Sequence, residues 1–173
     1  MKHIFNFFDF DGTLSQSPLP ETGKPKWKEV TGTEYPHKGW WSKPESLSIE
    51  VFNIQPNPEV RAALVESLDN GHTNWILTTR LPRLKEHVLK VVESFGIDTT
   101  RFDGHSFASN LDKGQRILSI IGGGQYQYVT EVHVYEDREV EFVVLEKIRE
   151  TLESRGIAYH IHKIDNGENQ QKD

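Results

Sequence analysis

The sequence predicts an α/β protein built on a doubly wound parallel sheet, with helices on both faces and a small insertion after the first strand. Three observations predict it. Apolar runs short enough for strands alternate with amphipathic stretches long enough for helices. Three of those runs, "IFNFFDFD", "TNWILTTR" and "EVHVYEDR", turn polar at their carboxyl ends, where ligands of such sheets bind. Several helical stretches begin at capping residues or proline and end at glycine.

The elements follow in order. His3 to Phe8 is continuously apolar apart from Asn6 and is bounded by an Asp-Gly turn, which reads as a strand buried on both faces. Ser15 to Gln55 holds five of the eight prolines and three of the four tryptophans without sustained periodicity, so it reads as an ordered insertion or short lid. Asn57 then caps a helix with Pro58 at its first position; Val60, Ala63, Leu64 and Leu68 share a face, and Gly71 closes it. A second buried strand ends at Thr78, Thr79 and Arg80. Pro82 opens a helix with Leu84, Val88, Val91, Val92 and Phe95 inward, ending at Gly96. A short strand covers Arg101 to Phe107, and a helix runs from Asp112 to Ile121. The glycines 122 to 124 stop that helix; they lack the strand-before, helix-after setting of a phosphate loop. After the strand ending at Glu136 and Asp137 comes a helix from Glu139 to Ser154, capped by Gly156. "IAYHIHKI" alternates as a final strand, with His160 and His162 on one side. That pair reads as an exposed edge rather than a metal site, since the pattern offers no third ligand. One domain, 1–164, is expected, with 165–173 a polar, disordered tail.

Composition narrows the function classes. The chain has no cysteine, so a disulfide framework, a thiolate zinc site and a cysteine nucleophile are excluded, and the expected setting is a reducing cytoplasm. The apolar start is short and broken by Asn6 and Asp9, unlike a signal peptide, and no run is long enough to span a membrane. A net charge of −6 gives no global attraction to nucleic acid or anionic membrane. The one basic cluster near the acidic motif, Lys24 to Lys28, reads as a solvated loop.

The chemistry lies at the polar strand ends. Carboxylates a few ångströms apart do not all stay ionised unless a cation joins them. Oxygen ligands without imidazole or thiolate suit a hard ion such as Mg²⁺, and that ion beside lysine and threonine suits a phosphate dianion. A carboxylate can attack phosphorus and form an aspartyl-phosphate that water hydrolyses, given an acid for the leaving oxygen and donors for the phosphoryl group. In "DFD", Asp9 and Asp11 share a side if the strand turns at Gly12.

"FFDFDGTL" closely resembles the first signature of the haloacid dehalogenase superfamily of phosphatases, an apolar strand followed by Asp-x-Asp-Gly-Thr. "WILTTR" resembles its second motif, Lys113 at a helix start suits the third, and "VHVYEDR" resembles the fourth; together they span Asp9 to Asp137. The set "DFDGTL", "GWW", "LTTR", "YEDR" is also similar to haloacid-dehalogenase-like domains of RNA-repair proteins and to polynucleotide 3′-phosphatases. The resemblance implies a Rossmann-like, HAD-like fold and a Mg²⁺-dependent phosphomonoester hydrolase. It implies Asp9 as nucleophile, Asp11 as general acid and base, Thr78 and Lys113 as phosphate-binding residues, and Asp9, the Asp11 carbonyl and Asp137 as metal ligands. Glu136 stands where the family more usually has Asp or Gly; it takes either a water-mediated place beside the metal or the metal itself.

Each residue also has a plainer reading. "DG" is a common turn, and a lysine at a helix start is usually just solvated. Thr79 rivals Thr78 as the phosphate donor. Arg80 and Arg138 either touch substrate or form surface salt bridges. Trp40 and Trp41 either stack on a base or sugar or anchor the insertion, with anchoring expected for at least one. The expected substrate is a single-stranded nucleic-acid end carrying a 3′-phosphate, with a functional link to a kinase or ligase. The alternatives are a small-metabolite phosphatase, such as a nucleotidase or sugar phosphatase, and a catalytically silent binding domain.

Overall fold

The structure, a computed structural model, describes residues 3–165, so the tail expected from 165 lies, beyond Asp165 itself, outside the described residues. In chain order the strands and α-helices are β1 (Ile4–Phe8), α1 (Pro20–Thr31), α2 (Ile49–Phe52), α3 (Pro58–Asp69), β2 (Thr73–Leu77), α4 (Lys85–Ser94), β3 (Gly104–Ser106), α5 (Lys113–Gly122), β4 (Glu131–Glu136), α6 (Glu139–Glu146), α7 (Arg149–Glu153) and β5 (Ala158–Lys163). The five strands form one parallel sheet in the order β3-β2-β1-β4-β5. The apolar first strand is therefore central, and the order reverses beside it, between β2 and β4. That reversal opens a crevice at the carboxyl ends of the strands.

The alternation of β1 divides the core in two. Phe8 faces Val60, Leu64 and Leu68 of α3 and Val88, Val91 and Val92 of α4. Phe5 and Phe7 face Ile117 and Ile121 of α5, Leu145 of α6 and Leu152 of α7. Each such side chain contributes about 1.5–3 kcal/mol on full burial, so both helical layers are held to the sheet chiefly by apolar area. Asn57 caps α3 as the sequence predicts, its side chain accepting from the N–H groups of Glu59 and Val60. Asp112 likewise caps α5 through Gln115.

Three elements differ from expectation. The strand expected over Arg101 to Phe107 shrinks to β3, because Asp98 caps a 3-10 turn at Thr99–Arg101. The helix expected from Glu139 to Ser154 is two helices. The chain turns at Lys147 and Ile148, which brings Ile148 into the buried row of Leu145 and Leu152. The insertion contains α1, despite Pro25 within it and few apolar residues to give a period.

The insertion leaves and returns at one place. The N–H of Gln16 donates to the Gln55 carbonyl at 2.9 Å, and that of Asn57 to the Leu14 carbonyl at 2.9 Å. Inside it Trp27, Tyr35, Trp40 and Phe52 form a small aromatic core, with Tyr35 and Trp40 centroids 5.1 Å apart and Trp40 and Phe52 5.6 Å apart. Gly23 of α1 lets the indole of Trp40 lie against bare backbone; a Cβ there would fall 2.2 Å from the ring.

Near β5 the sheet carries a row of flat polar rings. Tyr135 stacks on His162 at 4.3 Å and on Phe8 at 4.6 Å, and His133 stacks on His160 at 4.5 Å. The two histidines of the last strand do share a side. His160 is exposed, while His162 is half-buried and shares a hydrogen bond with the His133 ring at 2.9 Å. Burial pushes the pKa values of His133 and His162 below the ordinary histidine range.

Candidate active site

The carboxyl ends of β1, β2 and β4 converge on a cavity of about 230 Å³ lined by Asp9, Asp11, Trp41, Thr79, Arg80, Lys113 and Arg138. Asp9 leaves β1 with its N–H still paired to the Tyr135 carbonyl of β4 at 3.0 Å. The chain then folds into a tight loop in which Gly12 has a φ of 77°, a left-handed conformation that glycine adopts without strain. That loop holds Asp9 and Asp11 over one cavity, as the motif spacing requires.

Lys113, at the first turn of α5, is 2% exposed. Its ammonium donates to Asp9 Oδ1 at 2.8 Å and to Glu136 Oε2 at 2.5 Å, with Glu141 3.9 Å away. Burial works against its charge, yet Asp9, Glu136 and Glu141 outweigh that and hold its pKa above the ordinary lysine value. Glu136 is fully buried, and its other oxygen accepts from the N–H groups of Asp137 and Arg138 at 3.1 and 3.3 Å. Burial, followed by the nearby charge of Asp9, pushes its pKa up to about 7 against the pull of Lys113. Asp9, Glu136 and Asp137 each bring a carboxylate oxygen within 4.8 Å of the others. Three converging carboxylates without imidazole or thiolate are the donor set of a hard divalent cation such as Mg²⁺. The residues present therefore fit the Mg²⁺ expected from the motifs.

Asp11 makes a separate arrangement. Arg80, 2% exposed, donates from Nε to Asp11 Oδ2 at 2.7 Å and from Nη2 to Oδ1 at 2.9 Å. This two-pronged pair is buried, not the surface salt bridge weighed for Arg80, and it leaves the guanidinium as a wall of the cavity. Trp41 lines the cavity, but Trp40 is buried in the insertion, donating its indole N–H to the Pro18 carbonyl at 2.9 Å. Of the two tryptophans weighed as substrate contacts or anchors, Trp40 is thus an anchor. Thr78 is buried, its hydroxyl accepting from the Arg80 N–H at 3.1 Å, whereas Thr79 is exposed and lines the cavity.

Sequence reasoning gave no role to Thr13 or Arg116. The Thr13 hydroxyl lies 2.7 Å from Asp9 Oδ2 and 3.0 Å from Asp137 Oδ1, so it bridges two carboxylates of the cluster. Its place in Asp-Gly-Thr was the available signal. Arg116, one helical turn after Lys113, donates to the carbonyls of Thr78 and Phe107 and so fixes the ends of β2 and β3. Only spacing from Lys113 could have pointed to it.

The fold recurs in proteins of known structure. The chain superposes on effector Ceg4 of Legionella pneumophila with a TM-score of 0.63 and 16% identity, covering 99% of this chain and 91% of that one. It matches a predicted phosphoglycolate phosphatase of Haemophilus somnus with a TM-score of 0.54 and 15% identity, over 98% and 92% of the two chains. It also matches a chain of the Pnkp1/Rnl/Hen1 RNA repair complex with a TM-score of 0.56 and 15% identity. That match covers 96% of this chain but spans only 43% of the repair protein's length. No family model and no curated protein sequence matches. These likenesses establish the fold, the parallel α/β sheet with helices on both faces that the sequence predicts. Among the described residues no helix is long and apolar enough to cross a membrane.

Proposed function

We propose that the protein is a Mg²⁺-dependent phosphomonoester hydrolase working through an aspartyl-phosphate on Asp9. The observation that carries this reading is the placement of Asp9 on the cavity wall, bonded to the Lys113 ammonium and grouped with the carboxylates of Glu136 and Asp137. Asp9 attacks phosphorus as the bond to the leaving oxygen breaks, and Asp11 gives that oxygen its proton. Water then attacks the phosphoryl group, Asp11 takes the water's proton, and the Asp9 carboxylate is released. Lys113 and the hydroxyl of Thr79 or Thr78 meet the charge on the phosphoryl oxygens. Asp9, Asp137 and the Asp11 carbonyl would hold Mg²⁺, which when bound would neutralise the negative charge shared by nucleophile and phosphoryl group. Glu136, whose oxygens are engaged by Lys113 and two main-chain N–H groups, anchors the lysine and would meet the metal either directly or through water.

The substrate class we favour is a single-stranded nucleic-acid end with a 3′-phosphate. Two features support it: the half-buried Trp41 at the cavity, and the likeness to a chain of an RNA repair complex. The cavity is smaller than the roughly 300–1,000 Å³ of drug-sized pockets, which suits a terminal phosphate and its sugar. Recognition of the terminus alone fits the net charge of −6, and a kinase or ligase would act on the same ends. Likeness to a phosphoglycolate phosphatase supports the second reading, a small-metabolite phosphatase.

The test is phosphate release from a 3′-phosphorylated single-stranded oligonucleotide with Mg²⁺, wild type beside Asp9→Asn. Release by the wild type alone is expected. Release from mononucleotides with no gain from a longer strand would favour the metabolite reading. No release from any phosphomonoester would leave a silent binding domain.

A further inference from the structure

General acid catalysis requires the Asp11 carboxyl to face the leaving oxygen at a fixed angle. Asp11 lies beyond the end of β1, in the loop that turns at Gly12, so the sheet alone does not fix its side chain. Arg80 does. One edge of its guanidinium grips both Asp11 oxygens, at 2.7 and 2.9 Å. The remaining nitrogen, Nη1, donates to the Trp41 carbonyl and to Ser46 Oγ, each at 2.7 Å. Trp41 also lays its ring 5.1 Å from the guanidinium carbon. Trp41 and Ser46 both belong to the insertion, and Ser46 is fully buried. One buried cation therefore joins the acid–base carboxylate to the insertion.

We infer that Arg80 is a positioning residue that orients Asp11 for proton transfer only while the insertion is docked. The inference rests on the phosphatase reading and adds to it what the insertion does. An arginine is required because its planar fork can hold a carboxylate through two N–H groups while a third nitrogen reaches elsewhere; the single ammonium of lysine lacks that geometry. When Asp11 has given up its proton, the same fork meets the carboxylate that remains. Docking of the insertion thus assembles the acid, and an undocked insertion leaves the nucleophile intact but the acid loose.

The consequence is selective by leaving group. An alkoxide, such as a ribose 3′-oxygen, needs a proton as it departs; p-nitrophenolate does not. In Arg80→Lys, kcat/KM for a ribose 3′-phosphate, which reports the reaction only up to departure of the leaving oxygen, should fall about 100-fold, the scale of general acid catalysis, while kcat/KM for p-nitrophenyl phosphate falls less than about fivefold. Ser46→Ala should shift kcat/KM for the ribose 3′-phosphate in the same direction by about threefold to tenfold, the worth of one hydrogen bond. It removes no charge, so it reports on the link even if Arg80→Lys folds poorly. Asp11→Asn should show the leaving-group pattern by itself, and Arg80→Lys added to it should cost nothing more. Equal losses on the two substrates, or a further loss in the double variant, would overturn the inference while leaving the phosphatase reading intact. Wild type inactive on both substrates would overturn both.

Discussion

Asp9 and Asp11 come from one motif and each meets a buried cation, but the two pairs are charged differently. Asp11 and Arg80 are matched one to one, and the guanidinium edge satisfies both carboxylate oxygens. Around Lys113 one ammonium faces Asp9 and Glu136, with Asp137 close behind. Fully ionised, that group of three carboxylates and one lysine carries two negative charges in excess. The first pair is complete as the protein makes it. The second holds more carboxylate than Lys113 alone balances, an arrangement that suits a proton on Glu136 or a divalent cation.

The sharpest way to break this contrast is Lys113→Met. Removing the ammonium that bonds Asp9 and Glu136 should lower phosphate release by about 100-fold to 1,000-fold or more. It should also destabilise the metal-free protein by about 3–5 kcal/mol, the cost of leaving buried carboxylates without their partner. Phosphate assays and urea unfolding read the two effects.

Arg80→Met breaks the matched pair and should also cost about 3–5 kcal/mol. Because that pair is balanced, Asp11→Leu combined with Arg80→Met should, in urea unfolding, recover the part of the loss that comes from the unpaired carboxylate, leaving the cost of the Trp41 and Ser46 hydrogen bonds. No single added substitution should do the same for Lys113→Met.

Smaller, but more specific, is the pH dependence from Glu136. Its pKa rises from 4.5 to about 7 in the fold, so between those values the folded protein binds more protons than the unfolded chain. This group's stabilising contribution is fully present below pH 4.5 and is lost as pH rises through about 7. In the metal-free protein, the fall in stability from pH 5 to pH 8 should be smaller in Glu136→Gln than in wild type. Mg²⁺ should raise the wild-type melting temperature more at pH 8 than at pH 5. A wild-type and Glu136→Gln difference that does not change with pH would contradict the assignment.

The smallest effect expected separates Thr78 from Thr79. Thr79→Val should lower kcat by about tenfold through loss of one donor to the phosphoryl group. Thr78→Val, which loses the acceptor for the Arg80 N–H, should act mainly on stability. The reverse result would return the phosphate contact to Thr78.

Much of this was legible in sequence wherever a local rule decided it. Asn57 and Pro58 fixed the start of α3, and the apolar run from His3 to Phe8 read correctly as a strand buried on both faces, found at Ile4–Phe8. The polar strand ends identified the edge where the cavity lies. What remained hidden depended on contacts between distant residues. Arg80 reads as the polar end of a strand until Asp11, Trp41 and Ser46 are brought around it. Trp40 and Trp41 are neighbours in the chain, and only the insertion's own aromatic core explains why one turns inward and the other to the cavity. Helix α1 escaped because proline and glycine suppress both propensity and period; its place is set by the aromatic residues it packs against.

The contact between Gly23 and Trp40 makes α1 unequally tolerant of change. Glu21, Lys26, Glu29 and Val30 are exposed, so their identities can drift, and surface charge or affinity for a partner can be retuned there without disturbing the body of the protein. Gly23 has no such latitude, since even a methyl group would overlap the indole. A transplanted or shortened insertion that keeps Trp41 beside the cavity therefore has to carry this glycine and this tryptophan together, as one heritable unit.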